Sequence, residues 1–206
     1  MTEPGPLAAY LSDPAWFGAG QRESIHGWAH VNRVLVWADV LGRADGRPVR
    51  LAELRWAAAV HDVARVNNGY DPDHGARAAV WVRTTLPRLR PAVRDIDLEL
   101  IATLCERHDV EDGADPPLEL LMLKDADALD RARFKTTGRM DPDHLRLRAL
   151  SPLLAGPAQA FCDICRLEPP TTPAAELAIA ETRVLPTLDL LWPKVWRGED
   201  AASPRR

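Results

Sequence analysis

Two adjacent polar residues, His61 and Asp62, lie inside the alanine-rich run "AAAVHDVARV" at residues 57–66. The rest of this run is typical of a buried helix, where an unpaired charge is costly. The pair therefore requires a partner: a counter-charge, a hydrogen-bond network or a metal ion. Neighbouring helical residues point about 100° apart, so both side chains can contact one object only if it lies between their directions. A metal ion has the right size.

Further candidate ligands occur in two other predicted helices. His26, His30 and Arg33 follow one another at spacings of four and three, so they project from roughly one side of a helix. Asp127 lies in a leucine-rich segment, three residues after Lys124. Together with the histidine–aspartate pair, these stretches supply both imidazole and carboxylate donors.

Two imidazoles and two carboxylates form the candidate ligand set, which consists of His30, His61, Asp62 and Asp127. Around a six-coordinate ion, as manganese, iron, cobalt or magnesium prefers, this set leaves positions for water. Coordination positions that the protein leaves open can bind water or substrate, so this ligand set would allow catalysis at the ion. The identity of the ion stays open, with nickel and zinc as further alternatives.

These residues and their contexts resemble the HD-domain superfamily of metal-dependent phosphohydrolases. The H…HD…D signature of that superfamily matches "HVNRV" at 30–34, "VHDVAR" at 60–65 and "DADALD" at 125–130, and the resemblance covers about residues 24–135. The "ADxL" context of the family favours Asp127 over its rival Asp125 as the ligand. Asp125 and Asp130 then lie behind the ligands or at the surface.

The resemblance implies one or two divalent ions, since many HD enzymes carry extra histidines for a second one. His108 follows Ile101 and Leu104 by seven and four residues, so it continues a buried helical face. His74 lies in a first helical turn, where free amides would equally suit a phosphate. The alternative for either histidine is that of an ordinary buried side chain that binds no metal. The number of metal ions therefore stays open.

The implied chemistry is attack by a metal-activated water, oriented by Asp62, on the phosphorus of an ester or anhydride. Arg65 and Lys124 are the candidate cations for substrate phosphate, although Lys124 could instead neutralise the acidic cluster beside it. His26 could donate a proton to the leaving oxygen or contact phosphate. An ordinary packed or capping role also suits this histidine.

The implied substrate is a small phosphorylated molecule such as a nucleotide. One alternative is oxidative, because some HD-fold proteins activate oxygen at a di-iron pair. Another is a module that binds metal and nucleotide as a signal, without turnover. The "NGYDP" stretch at 68–72 is not the GYP signature of cyclic-dinucleotide phosphodiesterases, since their accompanying paired histidines and acidic motif are missing from this sequence.

Composition gives no reason to expect nucleic-acid or membrane partners. The net charge of the 206 residues is −4, without a long block of either sign. No apolar run approaches the roughly 18 residues of a membrane helix, and the start lacks the features of an export signal, so we expect a cytoplasmic protein. Cys162 and Cys165 have the spacing of half a zinc site, but no second pair completes it, which favours free thiols.

Helical spacing dominates the chain, and strand signals are poor. The pattern predicts helices over residues 23–41, 51–64, 91–108, 116–134, 150–166 and 173–192, and one capped by Asp71 with Pro72 in its first turn. The last residues, 198–206, are predicted to fray. We therefore expect one all-α domain over 1–206: an HD-domain-like helical bundle with its motifs at about 24–135 and additional C-terminal helices at about 150–195.

Overall fold

Helices are the only regular elements in the computed structural model, which describes residues 5–134 and 140–188. The described α-helices are α1 (Trp28–Ala44), α2 (Leu51–Val60), α3 (His74–Thr84), α4 (Leu86–Leu89), α5 (Leu98–Arg107), α6 (Leu118–Asp130), α7 (Ala155–Leu167), α8 (Pro173–Ile179) and α9 (Leu185–Leu188). Short 3-10 turns flank several of them, and a π-helical segment, Ala180–Val184, joins α8 to α9. The predicted all-α class is confirmed.

Helix α1 lies at the centre of the bundle, where it packs against α2, α6 and α8. Its apolar residues Val34, Leu35 and Trp37 are completely buried. Helix α5 packs on α2 and α3, and α6 also contacts α2. The helices that carry the predicted ligands therefore share one core.

The predicted start of the first helix at residue 23 is wrong, because α1 begins at Trp28. The preceding residues form turns in which the N–H of Gly27 donates to the Ser24 carbonyl, and the N–H of Trp28 donates to that of Arg22. A Cβ at Gly27 would lie 2.1 Å from the Arg22 oxygen, so only glycine permits this close turn. His26 consequently lies in the turn and not on the helix.

The second helix is also shorter than predicted, since α2 ends at Val60 and His61 is its C-terminal cap. The histidine–aspartate pair thus lies at a helix end. Helix α3 begins at His74 after Asp73, so the predicted cap at Asp71, with Pro72 in the first turn, is wrong. Asp71 instead accepts hydrogen bonds from the Arg77 guanidinium and from a backbone amide of the preceding loop.

The remaining helices differ from prediction mainly at their ends. Residues Pro91–Asp95 form a separate 3-10 turn, and α5 starts after Asp97, whose carboxylate accepts from the Leu100 amide. Helix α6 occupies the inner part of the predicted 116–134 segment, and α7 that of 150–166 with one extra residue. The described part of the last predicted helix reaches Leu188; residues 189–192 and the predicted frayed tail lie outside the described residues.

None of the helices in the described part of the chain combines the length and the apolar character required to cross a membrane.

Candidate metal centre

Five of the six histidines surround one carboxylate, that of Asp62, which is 3% exposed. These histidines are His26, His30, His61, His74 and His108. They come from the turn before α1, from α1 itself, from the end of α2, from the start of α3 and from the end of α5. The sixth, His144, is 82% exposed and pairs with Asp141.

One oxygen of the Asp62 carboxylate faces the first group of candidate ligands. Its Oδ2 atom lies 2.9 Å from His26 Nδ1, 3.6 Å from His30 Nε2 and 3.9 Å from His61 Nε2. His30 Nε2 is also 3.2 Å from Asp127 Oδ1 and 3.3 Å from His61 Nε2. We call the set of His30, His61, Asp127 and the Oδ2 atom of Asp62 the first centre.

The other oxygen of Asp62 faces a different pair of imidazoles. Its Oδ1 atom lies 3.2 Å from His74 Nε2 and 3.6 Å from His108 Nε2, and these two nitrogens are 3.0 Å apart. We call this set of His74, His108 and the Oδ1 atom of Asp62 the second centre. Asp109 lies beside it, with Oδ2 3.2 Å from His74 Nδ1, and could also contribute a donor. Sequence reasoning missed Asp109, although its place directly after His108 was a signal.

Three of the histidines share one hydrogen-bonding pattern that fixes the proton on Nδ1. In His61, His74 and His108, Nδ1 contacts the carbonyl oxygen three residues earlier, at 2.8, 2.5 and 2.6 Å respectively. A carbonyl only accepts, so Nδ1 must carry the proton and donate it. In the neutral ring, Nε2 is then a bare lone pair directed at the candidate centre, as a metal-ligating histidine requires.

His30 is oriented by a carboxylate instead of a carbonyl. Its Nδ1 lies 2.7 Å from Asp130 Oδ2, which leaves Nε2 for the first centre. Asp130 is completely buried and also accepts from Arg33 and Arg133. Sequence reasoning placed Asp130 behind the ligands or at the surface, and the structure places it behind His30.

A cation suits this arrangement of nitrogen lone pairs. The Nε2 atoms of each pair are 3.0–3.3 Å apart, so a proton on one ring must lie between them, because two bare lone pairs would repel each other; a divalent ion can take the place of that proton. Two nitrogens bound to one metal at about 2.1 Å and at right angles are about 3.0 Å apart. Mixed imidazole and carboxylate donors accept first-row divalent metals. The donor set therefore fits one divalent ion at each centre.

Burial and charge act together on the ionisation of these groups. Burial lowers the pKa of His61 to about 3, which keeps this imidazole neutral and available as a ligand. Burial alone would raise the pKa of Asp62, but the surrounding imidazoles hold it well below its usual range. His30 likewise holds the pKa of Asp127 below its usual range, against the effect of burial. Both carboxylates are thus ionised at neutral pH and attract a cation.

The two rival aspartates of α6 have different surroundings. Asp125 is completely buried and accepts from the backbone amides of Arg146 and Leu147 and from the Ser151 hydroxyl. Asp127 is 36% exposed and contacts His30. The structure therefore places Asp127 at the cluster and gives Asp125 a structural role.

The three predicted substrate contacts lie in different places. Arg65 is beside the second centre, with Nη1 3.1 Å from His74 Nε2, and the half-buried His26 contacts Asp62. The ammonium of Lys124 binds the Val110 carbonyl and the Asp112 carboxylate. For Lys124, this favours the alternative that it neutralises neighbouring acidic groups, and the group it pairs with is Asp112 in the loop before α6.

The two cysteines with half-zinc spacing are free, buried thiols in α7. Burial raises the pKa of Cys162 and of Cys165 to about 12. None of the candidate metal-binding groups in the described residues contains a cysteine.

A family model described as HD domain matches residues 27–132, just over half of the chain. Comparison with curated proteins and with solved structures gave no match. The matched segment contains all the residues assigned above to the first and second centres, and it ends before α7.

Proposed function

The chain belongs to the HD-domain family, and on that premise we propose that it is a metal-dependent phosphohydrolase whose divalent cations would be held by the first and second centres, which share the Asp62 carboxylate. Its substrate would be a phosphate ester or anhydride of a small molecule, such as a nucleotide.

The observation that carries the proposal is the orientation of the Asp62 carboxylate. Its two oxygens face two separate imidazole pairs, one at each centre. Each imidazole presents Nε2, because its Nδ1 proton is held by an oxygen acceptor. A carboxylate that joins two such donor sets is suited to bridge two ions.

When bound, the divalent ions would supply Lewis acidity, which lowers the pKa of a water and neutralises charge on the phosphoryl oxygens. Asp62 would orient that water. Arg65 provides a permanent positive charge beside the second centre for the substrate phosphate. His26 is hydrogen-bonded to Asp62 and 19% exposed, so it is our candidate for protonating the leaving oxygen.

The decisive experiment is a metal-resolved activity screen. Metals bound to the purified protein are quantified, and the metal-free protein is then assayed against nucleotides and phosphomonoesters with each divalent ion. We expect hydrolysis with at least one ion. Iron-dependent oxygen uptake without hydrolysis would instead support an oxygenase, and nucleotide binding without product across all ions would support a sensor module.

We predict that His61→Ala and Asp62→Ala each lower metal affinity and hydrolysis by more than about 100-fold, because each removes a direct ligand. The far-ultraviolet circular dichroism spectrum should stay helical. His144→Ala is the matched control, since this histidine is exposed and outside the cluster. Activity retained by a metal-stripped double variant of His61 and Asp62 would contradict the proposal.

A further inference from the structure

The guanidinium of Arg65 contacts two of the donor atoms of the second centre. Its Nη1 lies 3.1 Å from His74 Nε2 and 3.5 Å from Asp62 Oδ1. A guanidinium has only N–H donors and carries a permanent charge, so it cannot be a metal ligand. Arg65 and a second ion would therefore compete for the same lone pairs.

Arg65 is held in this position by the loop that follows it. Its Nη2 donates to the Gly69 carbonyl at 3.0 Å, and its Nε contacts the Asn67 carbonyl at 3.4 Å. The side chain is 9% exposed. The loop itself is fixed where the Val66 amide donates to Asp71. The guanidinium is thus an ordered part of the second centre.

The first centre is surrounded differently. The Oδ2 atom of Asp62 is contacted by three imidazoles, those of His26, His30 and His61. Arg65 contacts the other oxygen of this carboxylate, Oδ1, which belongs to the second centre. The two centres thus differ in local charge, and this difference should make their affinities for a divalent cation unequal.

We propose that Arg65 acts as a built-in cation at the second centre, so that the protein binds one divalent ion tightly and a second one weakly until an anion draws Arg65 away. The phosphoryl group of a substrate is such an anion, because a guanidinium pairs with its oxygens through two hydrogen bonds. Binding of phosphate and of the second ion would then be coupled. This inference rests on the proposed function and specifies how its second ion is controlled.

The test is a titration of the chelator-treated protein with manganese(II), followed by calorimetry and by electron paramagnetic resonance of the free ion. We compare the wild type with Arg65→Met, which keeps an apolar stem without charge, and with Arg65→Lys, which keeps the charge. Arg83→Met is the matched control, because Arg83 lies on α3 and pairs with Glu99 at the surface.

In the wild type, in Arg65→Lys and in the control, we expect one tight ion and a second that binds at least about 10-fold more weakly, within the usual range of coupling between sites. Arg65→Met should bind the second ion about 10-fold more tightly than the wild type. Inorganic phosphate should strengthen second-ion binding in the wild type but much less in Arg65→Met.

Equal second-ion affinity in the wild type and in Arg65→Met would overturn the inference, as would a phosphate effect of the same size in both. Hydrolysis with two equally tight ions would overturn it and leave the proposed function standing. If the titrations give the expected result but no phosphoester is hydrolysed, the inference about Arg65 stands and the proposed function is overturned. Circular dichroism checks that each variant is folded, and Arg65→Lys provides the comparison if the methionine variant is not.

Discussion

At the scale of single residues, a local hydrogen bond orients three of the histidines that could bind a metal. His61 and His108 each follow the end of a helix and donate to a carbonyl of its last turn, three residues back. Such carbonyls have no partner within the helix, so one bond satisfies the helix end and also directs Nε2 outwards. The same spacing recurs at His74, the first residue of α3. One arrangement therefore orients three of the imidazoles.

Asp130 and Asp125 allow a test of whether a residue that contacts a candidate ligand, without being one, controls metal affinity. Asp130 accepts from His30 Nδ1, whereas Asp125 accepts from backbone amides of the 146–147 segment, and both are completely buried on α6. We predict that Asp130→Asn lowers divalent-metal affinity by about 10–100-fold, because it weakens the bond that orients His30. Asp125→Asn should instead cost about 1–3 kcal/mol of unfolding free energy and leave metal affinity unchanged.

Calorimetric metal titration and urea unfolding measure these two quantities. An Asp125→Asn variant that loses as much metal affinity as Asp130→Asn would show that the ligand-orienting role is not specific to Asp130.

At the scale of elements, the second centre depends on the close approach of α3 and α5. Gly75 follows His74 and lies against the backbone of α5. A Cβ at this position would be 2.8 Å from the Cys105 oxygen, the same carbonyl that accepts from His108. No side chain fits there unless the backbone moves, so Gly75 is what allows the two imidazoles to meet.

We therefore predict that Gly75→Ala separates α3 from α5 and weakens second-ion binding by at least about 10-fold, an effect of the size expected for misplaced ligands. The first centre should keep its affinity, since α3 supplies none of its ligands. Gly156→Ala on α7 is the control, because a Cβ there meets nothing within 4 Å. Manganese titration gives both affinities, and a parallel loss at both centres would contradict this division between the elements.

At the scale of the whole molecule, helices outside the matched segment contribute to the core behind the candidate metal centre. Glu176 of α8 is 1% exposed and accepts from Arg33 Nη1 at 2.7 Å. The same guanidinium donates to Asp130, which orients His30. On α7, Phe161 packs against Trp37 of α1. We propose that the C-terminal helices belong to the same domain as the motif-bearing core and reinforce it.

The ionisation of Glu176 predicts a pH effect on stability. Burial raises its pKa to about 7, although Arg33 opposes this shift. Between the ordinary glutamate pKa, about 4.3, and about 7, the folded protein keeps a proton that the unfolded chain has lost. This group therefore lowers the free energy of unfolding as the pH rises through that window, and its cost is constant above it.

Glutamine does not titrate, so the melting temperature of the wild type minus that of Glu176→Gln should fall between pH 5 and pH 8. The measurement is thermal unfolding of both metal-stripped proteins, followed by circular dichroism at several pH values. A difference that stays constant across this range would show that the carboxyl group has the same pKa in the folded and unfolded states.

Sequence alone determined the all-helical class and singled out most of the residues that meet at the candidate site, because helical periodicity and the H…HD…D order are both properties of the chain itself. It placed helix ends less well: His26 was predicted on a helix and lies in a turn, since the close contact at Gly27 delays the start of α1. Lys124 was a candidate for the substrate phosphate or for neutralising neighbouring acidic groups, and its ammonium binds Asp112 in the loop before α6. Both outcomes arise from contacts that periodicity does not encode.

Only the tertiary structure decided how the donors are distributed. The division of the Asp62 oxygens between two imidazole pairs depends on how three helix ends and α1 meet around one point. The contribution of Glu176 depends on a contact between residues 143 positions apart in the chain. The position of Arg65 depends on the fold of the loop after it. Residue types and local spacing specify which groups are available for chemistry, whereas the distances between them are set by packing among distant segments, which local spacing does not record.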